Sequence, residues 1–146
     1  MFRTVVWATD GSETSQRALP YARGLAAGGL LVVVHVCELL VGRLGGQPAY
    51  ADDEENERSI REQVEVLREE GVNITLRLVT SLDTNAAPAL AEAAAQVNAD
   101  LIVVGTRGNA PLAGLVLGSV TQRLLHLAPC PVLAVPPAVD RLTSPA

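Results

Sequence analysis

Residues 100–120 read Asp100-Leu-Ile-Val-Val-Gly105-Thr-Arg-Gly108-Asn-Ala-Pro-Leu-Ala-Gly-Leu-Val-Leu-Gly118-Ser119-Val120. Leu101 to Val104 is an unbroken apolar run whose last three residues are β-branched. A run this short suits a strand covered on both faces, as in a parallel sheet. It stops at Gly105-Thr106-Arg107-Gly108, where two glycines allow a positive φ or close approach to a ligand. Gly118-Ser119 then opens an apolar segment with helical spacing that runs to Leu127. Strand, glycine turn and helix N-terminus in this order bring backbone N–H groups together, and the helix dipole adds roughly half a positive charge. The reading is a phosphate cradle.

Its glycine spacing is G-x2-G-x9-G-S. That is neither the G-x-G-x-x-G dinucleotide fingerprint nor the G-x4-G-K-[ST] phosphate loop, and no lysine lies near it. Glycines serve turns as well as ligands, so an ordinary strand-to-helix connection is the competing interpretation. The rest of the chain bears on the choice.

The chain has 146 residues, enough for one domain with a proper core. Hydrophobic residues make up 49% and charged residues 18%, which argues against disorder. Aromatics are only 3%, so the core must be built from Ala, Val and Leu. A net charge of −5 argues against nucleic acid as a partner, although a small anion needs only a locally positive site. Cys37 and Cys130 fit no metal spacing and are expected as buried free thiols. No targeting segment or bilayer-length apolar run is visible, so no membrane association and a cytoplasmic location are expected.

In chain order, Thr4–Ala8 reads as a first strand ending at Thr9-Asp10-Gly11-Ser12. A helix is expected over Glu13–Ala27, capped by Ser12, with Pro20 and Gly24 able to kink or shorten it. Leu30–Cys37 is a second, almost wholly apolar strand; His35 within it is expected to hydrogen-bond locally rather than act in catalysis. Residues 38–50 read as a loop. The second helix runs from Asp52 to about Glu70, with Ile60, Val64 and Leu67 inward and Arg58–Glu62 and Arg61–Glu65 pairs outward. Val72–Val79 alternates, as an edge strand with one wet face does. Helix three is expected over Asn85–Asn98, helix four from Gly118 to about Ala128, and a final strand between Pro131 and Pro136.

Regular β-α alternation implies a single-domain, doubly wound five-stranded parallel sheet with helices on both faces, of Rossmann-like type. Ligands in such sheets sit beyond the strand C-termini, where the winding reverses. With strand order 3-2-1-4-5, strands one and four flank that point, and Asp10 faces the glycine cradle across one crevice. The domain is expected over residues 1–137, with 138–146 a loose tail.

With these residues in view, the chain resembles the universal stress protein family along nearly its whole length. The motifs are Ala8-Thr9-Asp10-Gly11-Ser12, His35-Val36 at a strand end, Asp100 to Gly108, Leu117-Gly118-Ser119-Val120 and Ala128 to Val135. The glycine spacing is that of the family's ATP-binding members, and the fold implied is that of the adenine nucleotide alpha hydrolases. The resemblance implies that Asp10 accepts hydrogen bonds from the ribose, Val36 pairs with the adenine edge through its backbone, and Ala8 lines the base pocket. It implies that Gly105 and Gly108 admit the phosphates, with Arg107 and Asn109 as side-chain donors. Ser119 adds a hydroxyl beside the Gly118 and Val120 amides, and Thr9, Val104, Thr106 and Ala110 complete the expected nucleotide contacts. Ala110-Pro111 stands where many relatives carry a small-glycine pair, which stiffens the loop. A homodimer through the last strand is also implied.

Four functions compete, one of them a structural dimer that binds no ligand and acts by protein contacts, against which the intact glycine motif argues. A cradle with no phosphate-loop lysine, general base or carboxylate cluster fits an ATP-binding stress or regulatory protein whose output is a change of conformation or partner. Any Mg2+ would then be held by phosphates and water, with Asp10 nearby. An AMP or cyclic AMP sensor would share the base and ribose contacts and differ at the phosphates. A slow ATP-hydrolysing or adenylate-transfer enzyme is supported by fold analogy alone.

Overall fold

The computed structural model describes residues 2–38, 51–81, 85–106 and 117–137. The element order is β1 (Thr4–Ala8), α1 (Glu13–Leu25), β2 (Leu30–Glu38), α2 (Ala51–Glu69), β3 (Ile74–Ser81), α3 (Ala87–Gln96), β4 (Leu101–Gly105), α4 (Ser119–Leu127) and β5 (Val132–Val135). All neighbouring strands pair in parallel, in the order β3-β2-β1-β4-β5. The sheet is the expected one. Glu38, expected to open a loop, instead ends β2, paired with Ser81, one residue beyond the expected strand end; the loop reading of 39–50 and the reading of 138–146 as a tail lie outside the described residues.

Strand residues alternate between two cores, because successive side chains point to opposite faces. Val5, Trp7, Leu31, Val33, Leu101 and Val103 meet α1 and α2 through Ala18, Ala22, Ile60, Val64 and Leu67. Val6, Val32, Val34, Ile102 and Val104 meet α3 and α4 through Leu90, Ala94 and Leu124. Small alanines on the helices let them approach the sheet closely, consistent with a core poor in aromatics.

Element boundaries follow local chemistry. Ser12 caps α1, its side chain accepting from Ser15 N–H, and the helix continues through Pro20 to Leu25, two residues short of the expected end. Gly28 then takes φ +81°, a conformation glycine adopts without penalty. Helix α3 is shorter than Asn85–Asn98: the Asn85 side chain accepts from Ala87 N–H at 2.9 Å, and Asn98 turns to φ +52°. Strand β3 begins two residues later than expected, since Val72 N–H is still bonded to the Leu67 carbonyl. Its alternation has the expected cause, an edge position.

The outward pairs on α2 differ from expectation. Arg61 bonds Glu57, Arg68 bonds Glu65, and no Arg58–Glu62 pair forms among the described residues. Glu placed four residues before Arg is the better orientation on a helix, which favours Glu57–Arg61 over Arg61–Glu65. Helices α1 and α2 are tied by a reciprocal amide pair between Gln16 and Gln63, at 3.0 and 2.6 Å. Neither cysteine is in a disulfide among the described residues, and both are only half-buried, a correction to the expected burial. Desolvation raises the Cys130 thiol above its usual range.

Candidate functional site

Strand β1 ends where the winding reverses: its neighbours are β2 on one side and β4 on the other. The turn that follows is built from inward-facing polar groups. Trp7 Nε1 donates to the Ser15 carbonyl at 2.9 Å, and the Thr9 and Ser15 hydroxyls meet at 3.0 Å. Gly11 N–H donates to Thr9 Oγ1 at 3.1 Å, so the hydroxyl of Thr9, itself 4% exposed, is occupied within the fold. His35 is likewise buried, its Nδ1 bonded to the Thr9 carbonyl at 2.9 Å. A carbonyl only accepts, so Nδ1 carries the proton there. The expected local role of His35 is the one observed.

Asp10 emerges from this network half-buried. Its Oδ1 accepts from Ser12 N–H at 2.9 Å, and its backbone carbonyl accepts from Asn56 Nδ2 at 2.7 Å. Oδ2 has no partner among the described residues.

Val36 lies in β2 beyond the last residue of β1, since Ala8 pairs with Val34. Val34 turns its carbonyl toward β1, where it accepts from Thr9 N–H at 3.0 Å. Backbone direction repeats every second residue, so the N–H and C=O of Val36 face the space past the end of β1. Ala8 is half-buried at the same edge.

On the neighbouring strand, Val104 is buried in the second core and Gly105 ends β4. Gly105 does not have a positive φ; a Cβ there would lie 2.8 Å from Thr14 Cγ2 and 3.1 Å from Thr14 backbone atoms. The sequence reading assigned this glycine to the phosphates, but the seat of α1 on β4 requires it on packing grounds alone. Thr106 N–H donates to the Val135 carbonyl, and its own carbonyl accepts from Gly118 N–H at 2.7 Å. The Gly118 amide, expected to point at the ligand, is therefore spent on the fold.

Helix α4 begins at Ser119 with Gly118 as a cap that offers no side chain. The N–H groups of its first turn have no intrahelical acceptors, and among the described residues no side-chain cap supplies one. Ser119 is exposed and Val120 half-buried at this end. Thr121 Oγ1 donates to the Gly105 carbonyl at 2.9 Å and locks the helix to the end of β4. Arg107, Gly108, Asn109, Ala110 and Pro111 lie outside the described residues. Among the described residues, no three His, Cys, Asp or Glu side chains gather to hold a metal, and no helix is long and apolar enough to cross a membrane.

Sequence reasoning overlooked Asn56 and, though it placed Thr121 near the site, overlooked the bond from Thr121 to the Gly105 carbonyl. Both carried a signal: Asn56 is in phase with Ile60 and Val64, and Thr121 with Leu124. A polar residue in phase with a buried stripe needs a partner inside.

Comparisons with known proteins agree with the fold. A profile of the universal stress protein family matches residues 1–136. A universal stress protein of Thermus aquaticus, encoded in the 3' region of a QAH/OAS sulfhydrylase, is 38% identical, over 92% of this chain and 99% of its own. Among solved structures, the hypothetical protein MJ0577 superposes with a TM-score of 0.82, covering 96% of this chain and 99% of the other; at 21% identity this is a likeness of fold. A universal stress protein solved in complex with cAMP superposes with a TM-score of 0.65 at 31% identity, covering 92% and 96% of the two chains.

Proposed function

This chain belongs to the universal stress protein family, and we propose that it is an adenine-nucleotide-binding regulatory protein, with ATP as its ligand. One observation carries the reading: Asp10, whose Oδ2 has no partner among the described residues, and the N-terminus of α4, which no described side chain caps, follow the two strands flanking the sheet's reversal. The fit is chemical. The Asp10 carboxylate accepts from ribose hydroxyls. The N–H and C=O of Val36 match the donor and acceptor edge of adenine, beside Ala8. The first-turn amides of α4 and the Ser119 hydroxyl donate to phosphate, aided by the helix dipole. Val104, Gly105 and Thr106 lead into the phosphate segment, where Arg107, Gly108, Asn109 and Ala110 complete the set. Thr9 serves the fold, its N–H bonded to the Val34 carbonyl, its carbonyl to His35 and its hydroxyl to Ser15 and Gly11. The Gly118 amide serves the fold. Mg2+, if it accompanies ATP, is held by the phosphates and water near Asp10.

A second reading is an AMP or cyclic AMP sensor, favoured by the 31%-identical relative solved with cAMP. The output in either case is a change of conformation or partner within the cytoplasm. A second copy of the chain is the proposed partner: β5 is an edge strand whose Val132, Leu133 and Ala134 are only half-buried. Pairing of two such edges across a two-fold axis would cover them.

The test is mass spectrometry of the small molecule released when freshly purified protein is denatured, followed by titration with ATP, AMP and cyclic AMP. Near-stoichiometric ATP supports the leading reading, and AMP or cyclic AMP with weak ATP binding supports the second. A protein that binds none of the three overturns both.

A further inference from the structure

The peptide group between Asp10 and Gly11 is gripped at both ends. Its N–H donates to Thr9 Oγ1 at 3.1 Å, and its carbonyl accepts from Asn56 Nδ2 at 2.7 Å. The first grip is local to the turn; the second reaches 46 residues along the chain, from helix α2. We propose that Asn56 is a positioning residue of the adenine-nucleotide site, holding the Asp10–Gly11 peptide so that the Asp10 carboxylate meets the ribose. The inference rests on the nucleotide reading above.

Three observations carry it. Asn56 sits in register with Ile60 and Val64, where the pattern of α2 calls for an apolar side chain, and is half-buried there. The helix does not need it as an anchor, since Ile60, Val64 and Leu67 are buried and the Gln16–Gln63 amide pair ties α2 to α1. Gly11 and Asn56 are shaped to each other. At φ +79°, a Cβ built on Gly11 would fall 2.6 Å from Asn56 Cγ and 2.7 Å from Nδ2, inside the space the amide fills. Glycine is also the residue whose flanking peptide turns over most easily, because it accepts either sign of φ. A second grip on that peptide is therefore what keeps Asp10 in one orientation.

The experiment compares the wild-type chain with Asn56→Ala, which removes the donor, and Asn56→Asp, which keeps the shape but replaces the donor with an acceptor. Affinities for ATP and for adenosine are measured well below the melting temperature, together with amide hydrogen exchange at Gly11 without ligand. The expected result is a weakening of about three- to tenfold for both ligands, the span of one lost hydrogen bond. The loss is equal for the two because the turn serves the ribose and not the phosphates, and Gly11 exchanges faster in both variants. A purely structural role would lower the melting temperature and leave these affinities alone. Variants that bind as the wild type does, or that lose ATP but not adenosine, overturn the positioning role. A wild-type chain that binds neither ligand overturns the adenine-nucleotide reading, and this proposal with it.

Discussion

A methyl group on Gly105 would sit 2.8 Å from Thr14 Cγ2 and 3.1 Å from the Thr14 carbonyl carbon and oxygen. The side-chain contact can rotate away, but the backbone contacts move only if α1 lifts from β4. Gly105→Ala is therefore expected to destabilise the protein by about 1–3 kcal/mol, the usual cost of overpacking. Urea unfolding checks this, and adding Thr14→Ser should recover only part of the loss. At the opposite end of β4, the Asp100 carboxylate accepts from Arg3 N–H at 2.8 Å and Thr4 N–H at 3.0 Å. The Thr4 bond first, then the Arg3 bond, hold its pKa below the ordinary aspartate value of 3.8. The unfolded chain thus binds the proton more tightly than the folded one. The stability Asp100 contributes is complete above that ordinary value and is lost as pH falls through the lower, folded one. Asp100→Asn should lower stability at neutral pH and flatten its decline on acidification, read by thermal melts across pH 2–6. Equal melting curves for the two proteins at neutral pH would refute the role.

At the scale of elements, the direction of each backbone group in β5 can be assigned. Ile102 N–H donates to the Pro131 carbonyl and Thr106 N–H to the Val135 carbonyl, so residues 131, 133 and 135 face β4. Val132 and Ala134 face outward, at the open edge. Ala134→Pro removes an outward N–H and leaves the ladder to β4 intact, a position where proline is tolerated in a sheet. Sedimentation should find the wild type dimeric at micromolar concentration and the Ala134→Pro chain monomeric yet folded. A wild-type monomer would overturn the proposed dimer. Helix α1 illustrates packing prevailing over local preference. Pro20 removes one helical hydrogen bond and is exposed, yet the helix runs on to Leu25 because Ala18, Ala22 and Ala26 are buried beneath it.

For the whole molecule, ligand binding and folding are linked. A nucleotide that binds the native state alone stabilises it by about 2.7 kcal/mol at a hundred times its Kd. For a domain of this size that corresponds to a rise in melting temperature of roughly 5–10 °C. Differential scanning calorimetry with and without ATP measures it directly. An unchanged melting temperature at millimolar ATP would count against ATP as the ligand.

The parallel sheet and the edge placement of β3 and β5 were legible in residues 4–135. The sheet type rests on β-α alternation and apolar runs, patterns that survive without knowledge of distant contacts, whereas the strand order followed from the doubly wound fold class and not from any periodicity. Helix ends were legible only to within about two residues, because Asn85, Gly28 and Asn98 settle them through hydrogen bonds and φ values that no spacing encodes. The sequence by itself determined the doubly wound sheet and the place of Asp10 at its reversal. Only the tertiary structure decided that Gly105 is demanded by Thr14, that the Gly118 amide belongs to Thr106, and that Asn56 grips the Asp10 carbonyl. Those are contacts between residues far apart in the chain, made by single atoms at hydrogen-bond or van der Waals range. A pattern along the chain specifies which face is buried, but not which atom across the interface meets it.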